Sequence, residues 1–191
     1  MPGHNSLNPG RILKTMRLFI AVPIPLNLKT RLEELGNEIK QEGIKLVKPE
    51  NMHITLKFLG ETSEEELEAI KNRLKNVRFG NFSCRVKDIG VFPNENYIRV
   101  VWAGSEDEGQ MKSLAEAVQE SLGGKKERFS SHITIGRVKK KVDLKNFLEA
   151  HRGEELGSFE VSEFRLMKSE LKKEGPEYSV VETYPAEGAD A

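Results

Sequence analysis

The apolar residues of this chain follow two patterns, one typical of β-strands and one typical of amphipathic helices. Apolar runs and alternating positions predict strands or extended segments at residues 16–22, 45–48, 52–59, 82–92, 97–103, 129–138, 159–167 and 178–184. Apolar residues three or four apart predict four helices, with stripes at Leu28, Leu32, Leu35 and Ile39; Leu67, Ile70, Leu74 and Val77; Met111, Leu114, Val118 and Leu122; and Leu144, Phe147 and Leu148. Strands and helices therefore alternate along the chain.

Polar residues and glycines mark several helix ends. Ser63 with Glu66 has the spacing of a capping box, in which each side chain accepts from the other residue's backbone N–H. Asp143 is the predicted cap of the short fourth helix. Gly123 and Gly124 stop the third helix.

The order of elements in the first half of the chain is repeated in the second half. Each half contains the triplet His-Ile-Thr, beginning at His53 and at His132, 79 residues apart. The preceding strand lies 35 residues earlier in one half (Leu18 to His53) and 34 in the other (Ile98 to His132). This spacing indicates an internal duplication, with two αβ units related by a pseudo-two-fold axis.

The two triplets place histidine and threonine on the same face of their strands. Side chains alternate along a strand, so His53 and Thr55 oppose Ile54, and His132 and Thr134 oppose Ile133. The isoleucine faces are expected to pack against helices, and the histidine and threonine faces to line an open space between the units.

Two facing histidines can perform general acid–base chemistry at phosphorus. Imidazole titrates near neutral pH, so one ring can accept a proton from the nucleophile while the other protonates the leaving oxygen. Threonine hydroxyls can hold the non-bridging oxygens. A strained 2',3'-cyclic phosphate has a leaving group good enough that no metal is required.

Two other interpretations of the paired histidines remain open. Duplication copies structural residues as readily as functional ones, and threonine is a common strand residue. A metal site is the second, although zinc usually requires three or four ligands at recognisable spacings and the chain has no His-x-His and no cysteine pair. We therefore predict no metal and no cofactor.

Two cations near the triplets are further candidates for phosphate binding. Simple alternation places Arg137 on the strand face that points away from His132. A bulge at Gly136 can turn the Arg137 side chain toward phosphate. Lys57 shares the face of His53, where a solvated lysine is the simpler interpretation. Several aromatic residues could stack on a terminal base, namely Phe19, Phe92, Trp102, Phe129 and Tyr178. Most of them are expected in the core, because Phe19 and Trp102 lie inside apolar strands.

Composition excludes several classes of protein. The 191 residues carry 30 Lys and Arg against 30 Asp and Glu, and zero net charge argues against non-specific coating of nucleic acid. Cys84 is the only cysteine, which excludes a disulfide scaffold and suggests a small buried residue. No apolar run is long enough to span a membrane. Residues 1–15 have the composition of a flexible leader without a targeting signal, so we expect a cytoplasmic protein. A monomer is the default expectation.

The segments MRLFIAV, HITLKFLG, HITIGRV and GPEYSVV resemble the RNA 2',3'-cyclic phosphodiesterases. These proteins are also called 2'-5' RNA ligases and belong to the two-histidine phosphoesterase superfamily. The resemblance covers residues 16–184, expected to form one bilobal domain followed by a tail at 185–191. It implies a duplicated α+β fold, with two antiparallel sheets around a central groove and helices outside.

The resemblance also implies a reaction and assigns roles in it. The substrate is RNA with a 2',3'-cyclic phosphate end, including tRNA halves, and the product carries a 2'-phosphate. His53 is the implied proton donor and His132 the implied proton acceptor. Thr55, Thr134 and Arg137 match phosphate-binding positions. Reversible ligation, in which an RNA 5'-hydroxyl replaces water, is the implied side activity and gives a 2'-5' linkage without ATP.

The residues alone leave other functions open. The motifs recognise phosphate and not base, so the substrate is alternatively a small cyclic nucleotide or a 2'-5' oligoadenylate. A protein that only binds RNA ends is a third possibility. The near-symmetry of the two triplets also leaves the choice of acid and base undetermined without the resemblance.

Overall fold

The computed structural model describes residues 15–123 and 127–188. Nearly all of the predicted leader, one glycine of the predicted helix stop and the end of the predicted tail lie outside these ranges. The strands are β1 (Thr15–Pro23), β2 (Ile44–Leu46), β3 (His53–Ser63), β4 (Phe82–Asn94), β5 (Tyr97–Glu106), β6 (His132–Val138), β7 (Glu155–Val161), β8 (Glu163–Lys172) and β9 (Gly175–Pro185). The helices are α1 (Leu26–Glu38), α2 (Glu64–Leu74), α3 (Gln110–Leu122) and α4 (Lys145–Ala150).

The strands form a sheet with mirrored halves. Its order is β7-β4-β5-β6-β3-β1-β8-β9, all neighbours are antiparallel, and β2 adds to β6. One residue pair, Ile54 with Ile133, joins β3 to β6 at the centre. The α+β fold is confirmed, and the two predicted antiparallel sheets prove to be continuous through this single pair.

Three helices bury most of the apolar stripe that the residue spacing predicts, and α2 buries a smaller part of its predicted stripe. Leu28, Leu32 and Leu35 of α1 are fully enclosed, as are Met111 and Leu114 of α3. They belong to the same core as the isoleucine face of β3 and β6. The predicted capping box is present at the start of α2, although only Leu74 of that helix is buried. Burial of the isoleucine faces turns the opposite faces of β3 and β6 away from the core.

Several predicted boundaries are wrong: β3 runs past residue 59, β5 runs past residue 103 and β9 begins before residue 178. The segment 159–167 is not one strand, because Ser162 separates β7, which pairs with β4, from β8, which pairs with β1. The break carries the chain from one half of the sheet to the other, which an apolar run cannot reveal. Leu144 and not Asp143 is the cap position of α4, although the Asp143 carboxylate accepts from the Lys145 backbone N–H at 2.9 Å. The strand predicted from residue 129 begins at His132.

Candidate active site

The central pair of the sheet places both His-Ile-Thr triplets together. Ile54 and Ile133 lie opposite each other on antiparallel strands, and both side chains are fully buried. The residues that flank them point to the other face, so His53, Thr55, His132 and Thr134 all line one groove. The groove has a volume of about 1150 Å³. Residues 79 positions apart in sequence therefore share one site.

The ring of His53 is held by two hydrogen bonds and two aromatic rings. Its Nδ1 lies 2.7 Å from the Asn51 carbonyl oxygen, to which Nδ1–H donates. Its Nε2 lies 3.0 Å from the Thr55 hydroxyl oxygen. The rings of Phe19 and Tyr178 pack against the imidazole, with centroid distances of 4.9 and 5.6 Å. This arrangement assigns the proton to Nδ1 and leaves Nε2 as the atom that can exchange a proton in the groove.

Burial lowers the pKa of His53 to about 4. The hydrogen bond to the Asn51 carbonyl opposes this shift, while the charges of Lys29, Arg137 and His132 add to it. In the free protein at pH 7 the ring is therefore neutral, and Nε2 accepts a hydrogen bond from the Thr55 hydroxyl.

His132 has a similar anchor but a more open environment. Its Nδ1 lies 2.8 Å from the Ser130 carbonyl oxygen, two residues before it, as Asn51 lies two residues before His53. Phe92 meets the ring edge to face at a centroid distance of 5.1 Å. Its Nε2 has no hydrogen-bond partner among the described residues, so the equivalent atom of this ring is available to water. The two halves thus orient both imidazoles alike and bury them differently.

A bulge brings Arg137 into the groove. Val101 and Trp102 of β5 face Gly136 and Thr134, so Ile135 is an extra residue on β6. This shift breaks the alternation, and the exposed Arg137 lines the groove with His132 and Thr134. The predicted turn of Arg137 toward the histidines is therefore present.

An equivalent bulge changes the neighbours of the first triplet. Ala21 and Ile20 of β1 face Thr55 and Lys57, which leaves Leu56 as the extra residue. Lys57 lines the groove, and its Nζ forms a 3.0 Å ion pair with Glu127 instead of being solvated alone.

Some residues of the site were missed or only partly foreseen from sequence. Asn51 was not singled out, although it orients His53 and also holds Pro176, near the start of β9, through a 2.9 Å hydrogen bond from Nδ2. Phe19 and Tyr178 both line the groove, and Phe19 is at the same time 97% buried, as its apolar strand predicts. The contact of residue 178 with residue 53 has no local signal in the sequence.

Other reactive side chains were also located. Cys84 is buried as predicted, and burial raises the pKa of its thiol to about 11, so the thiolate is scarce at neutral pH. Within residues 15–123 and 127–188, no group of three His, Cys, Asp or Glu side chains is placed to hold a metal ion. The described helices include none with the length and apolar character needed to cross a bilayer.

Comparison with known proteins identifies the family. The model of the LigT-like phosphoesterases matches residues 22–102 and 105–178. The chain belongs to this family. Both His-x-Thr triplets and most of the groove strands lie within the matched ranges, so the resemblance found in the motifs is confirmed.

The LigT-like chain has relatives along nearly its whole length. It is 41% identical over 175 residues to an RNA 2',3'-cyclic phosphodiesterase of Methanocaldococcus jannaschii, covering 88% of this chain and all of the relative. A protein of the same description from Archaeoglobus fulgidus is 40% identical, with coverage of 85% and 96%. A Thermus thermophilus crystal structure has a TM-score of 0.75 at 34% identity, covering 92% and 100% of the two chains. Escherichia coli LigT complexed with phosphate has a TM-score of 0.75 at 25% identity, covering 90% and 98%.

Proposed function

We propose that this LigT-like phosphoesterase hydrolyses a terminal 2',3'-cyclic phosphate of RNA to a 2'-phosphate. The observation that carries the proposal is the convergence of two imidazoles, two threonine hydroxyls and one guanidinium in a single groove. The relatives described as RNA 2',3'-cyclic phosphodiesterases support the substrate. The phosphate complex of the Escherichia coli protein supports binding of phosphate by this fold.

The reaction needs one proton to leave water and one to reach the ribose. Nε2 of His132 accepts a proton from the water whose oxygen attacks phosphorus. The bond between phosphorus and the 3' oxygen breaks, and Nε2–H of His53 donates the proton that this oxygen requires. The Nδ1–H bonds to the carbonyls of Asn51 and Ser130 keep both Nε2 atoms facing the reaction.

The donor role of His53 requires that its ring gain a proton with the substrate. Its pKa of about 4 makes the ring neutral in the free protein. A cyclic phosphate carries one negative charge, and an opposite charge a few ångströms away favours imidazolium. Arg137 supplies a forked donor for the non-bridging oxygens, and Thr55 and Thr134 supply hydroxyls. Binding and protonation are thus coupled, because the anion that binds Arg137 also raises the pKa of His53.

The same groove supports ligation as a side activity. An RNA 5'-hydroxyl in place of water attacks phosphorus along the same path: its proton goes to His132, the bond to the 3' oxygen breaks and takes the proton of His53, and a 2'-5' linkage forms without ATP. We propose that both reactions proceed without a metal ion, since the two imidazoles provide the acid and the base. Small cyclic nucleotides are the alternative substrates, because the groups named here contact phosphate and leave the base unspecified.

The test uses a short RNA with a 2',3'-cyclic phosphate end, in EDTA and without ATP. Wild type is expected to give a 2'-phosphate, and His53→Ala and His132→Ala are each expected to lose about a hundredfold or more in rate. His151→Ala is the matched control, because His151 bonds Glu38 and Glu154 and does not line the groove. A folded wild-type protein that leaves both this RNA and small cyclic nucleotides intact would refute the proposal.

A further inference from the structure

The groove extends beyond what one nucleotide needs. Its volume of about 1150 Å³ exceeds the roughly 300–1,000 Å³ of a pocket for one small ligand. Eight Lys and Arg residues line it against four Glu, although the whole chain has no net charge. This excess of positive charge predicts a ligand with more than one negative charge.

Two of these cations are paired directly across neighbouring strands. Lys45 of β2 lies opposite Arg137 of β6 in the antiparallel register, so their side chains share one face. Lys139 follows Arg137 by two residues and is exposed in the same groove. Like charges directly opposite each other are destabilising. None of the three has a carboxylate within ion-pair distance among the described residues, and an anion bound between them would relieve the repulsion.

The turn between β8 and β9 adds a further cation from a distant part of the chain. Lys45 Nζ donates to the Glu174 carbonyl at 3.4 Å, and Asn51 Nδ2 donates to the Pro176 carbonyl at 2.9 Å, so the turn and the start of β9 are held at this end of the groove. Lys173 in the turn lines the groove and is exposed, and no described carboxylate pairs with it. Lys45, Lys139 and Lys173 are called the basic track below.

We propose that the basic track binds the phosphates immediately 5' of the terminal nucleotide, so that the site prefers single-stranded RNA to a mononucleotide. This inference rests on the proposed function, because the track continues from Arg137 at the proposed cyclic-phosphate site. At about 3.3 Å per residue, the path along β6 from His132 to Lys139 is on the order of 20 Å. That length accommodates more than one nucleotide step.

The test compares two substrates with the same reactive end: adenosine 2',3'-cyclic phosphate and a short RNA that ends in it. Each contact with a single-stranded phosphate steepens the plot of log kcat/KM against log salt concentration by about 0.7. Three such contacts are therefore expected to make this slope steeper for the RNA than for the mononucleotide by about 2. Raising the salt from about 50 to about 200 mM is then expected to lower kcat/KM about twentyfold more for the RNA than for the mononucleotide. Replacement of all three track lysines by glutamine is expected to abolish this difference and to lower the ratio of the two kcat/KM values. A matched triple variant replaces exposed lysines outside the groove, namely Lys75, Lys112 and Lys145, and is expected to keep the ratio.

The outcomes separate the track from the proposed function. Turnover of both substrates with the same salt slope refutes the track and leaves the proposed function intact. Turnover of neither substrate refutes the proposed function. The track is then judged by fluorescence anisotropy of the same RNA labelled at its 5' end, and equal salt dependence of binding in wild type and the track variant refutes it.

Discussion

Tyr178→Ala is expected to raise the pKa of His53 from about 4 toward the usual 6.5. Burial is the largest cause of the low pKa, and the Tyr178 ring, 5.6 Å from the imidazole between centroids, forms one wall of the enclosure. Truncation admits water to the ring and restores solvation of its charged form. The rise stays incomplete, because Phe19 still covers the ring and the charge of Arg137 remains near it.

The magnitude follows from linkage between protonation and folding. A drop from 6.5 to about 4 corresponds to about 3 kcal/mol between the two protonation states. As the pH falls below 6.5, the unfolded chain protonates this histidine before the folded chain does. The free energy of unfolding is therefore expected to fall by about 3 kcal/mol from this group between pH 6.5 and 4, with no contribution above that window. In Tyr178→Ala the loss is smaller, because the folded and unfolded pKa values lie closer together.

The assay is an NMR titration of the histidine Cε1–H signals, with urea unfolding at each pH. The spectrum of His53→Gln assigns the signal, and its unfolding curves are expected to lack the acid-dependent loss. Tyr97→Ala is the control, since Tyr97 is exposed and does not line the groove. A wild-type His53 that titrates near 6.5 would contradict the reasoning from burial, as would an unchanged pKa in Tyr178→Ala.

Three other perturbations test separate parts of the structure. Arg137→Lys keeps the charge and loses the forked donor, so kcat/KM for an RNA cyclic phosphate is expected to fall about tenfold or more; an unchanged value in steady-state assays would contradict the clamp. Burial opposes the charge on His151, but hydrogen bonds with two carboxylates, including Glu154, outweigh it and raise its pKa. Protonated His151 therefore contributes its full stabilisation below the unfolded pKa of about 6.5, and this contribution is lost as the pH rises through the folded pKa. Urea unfolding curves of His151→Gln are expected to lack this loss of stability. In Gly90→Ala a new Cβ would lie 2.2 Å from Trp102 Cζ2, so the expected destabilisation is about 1–3 kcal/mol, measured by urea unfolding; equal stability would show that the indole moves freely.

The duplicated motifs could be found from sequence because their signal is local. Strand alternation assigns His53 and Thr55 to one face and Ile54 to the other without reference to the rest of the chain. The same rule holds at His132, and the structure keeps both faces as expected. The family resemblance also rests on short segments that are contiguous in the chain.

The break at Ser162 and the bulge at Ile135 depend on partners elsewhere. An apolar run shows that 159–167 is buried, but not that its two ends pair with β4 and β1 in opposite halves of the sheet. Glycine at 136 permits a bulge, and the register against β5 determines that it forms and turns Arg137 into the groove.

The sequence by itself determined the alternation of strands and helices, the duplicated order of elements and the two histidine faces, because each follows from the period of neighbouring residues. The tertiary structure alone decided the difference between the two histidines. Their triplets are identical, yet Tyr178 and Phe19 pack against His53 while His132 stays more open to the groove. Burial and the low pKa that it causes come from residues up to 125 positions away, and no local pattern encodes which distant side chains remove water from a ring.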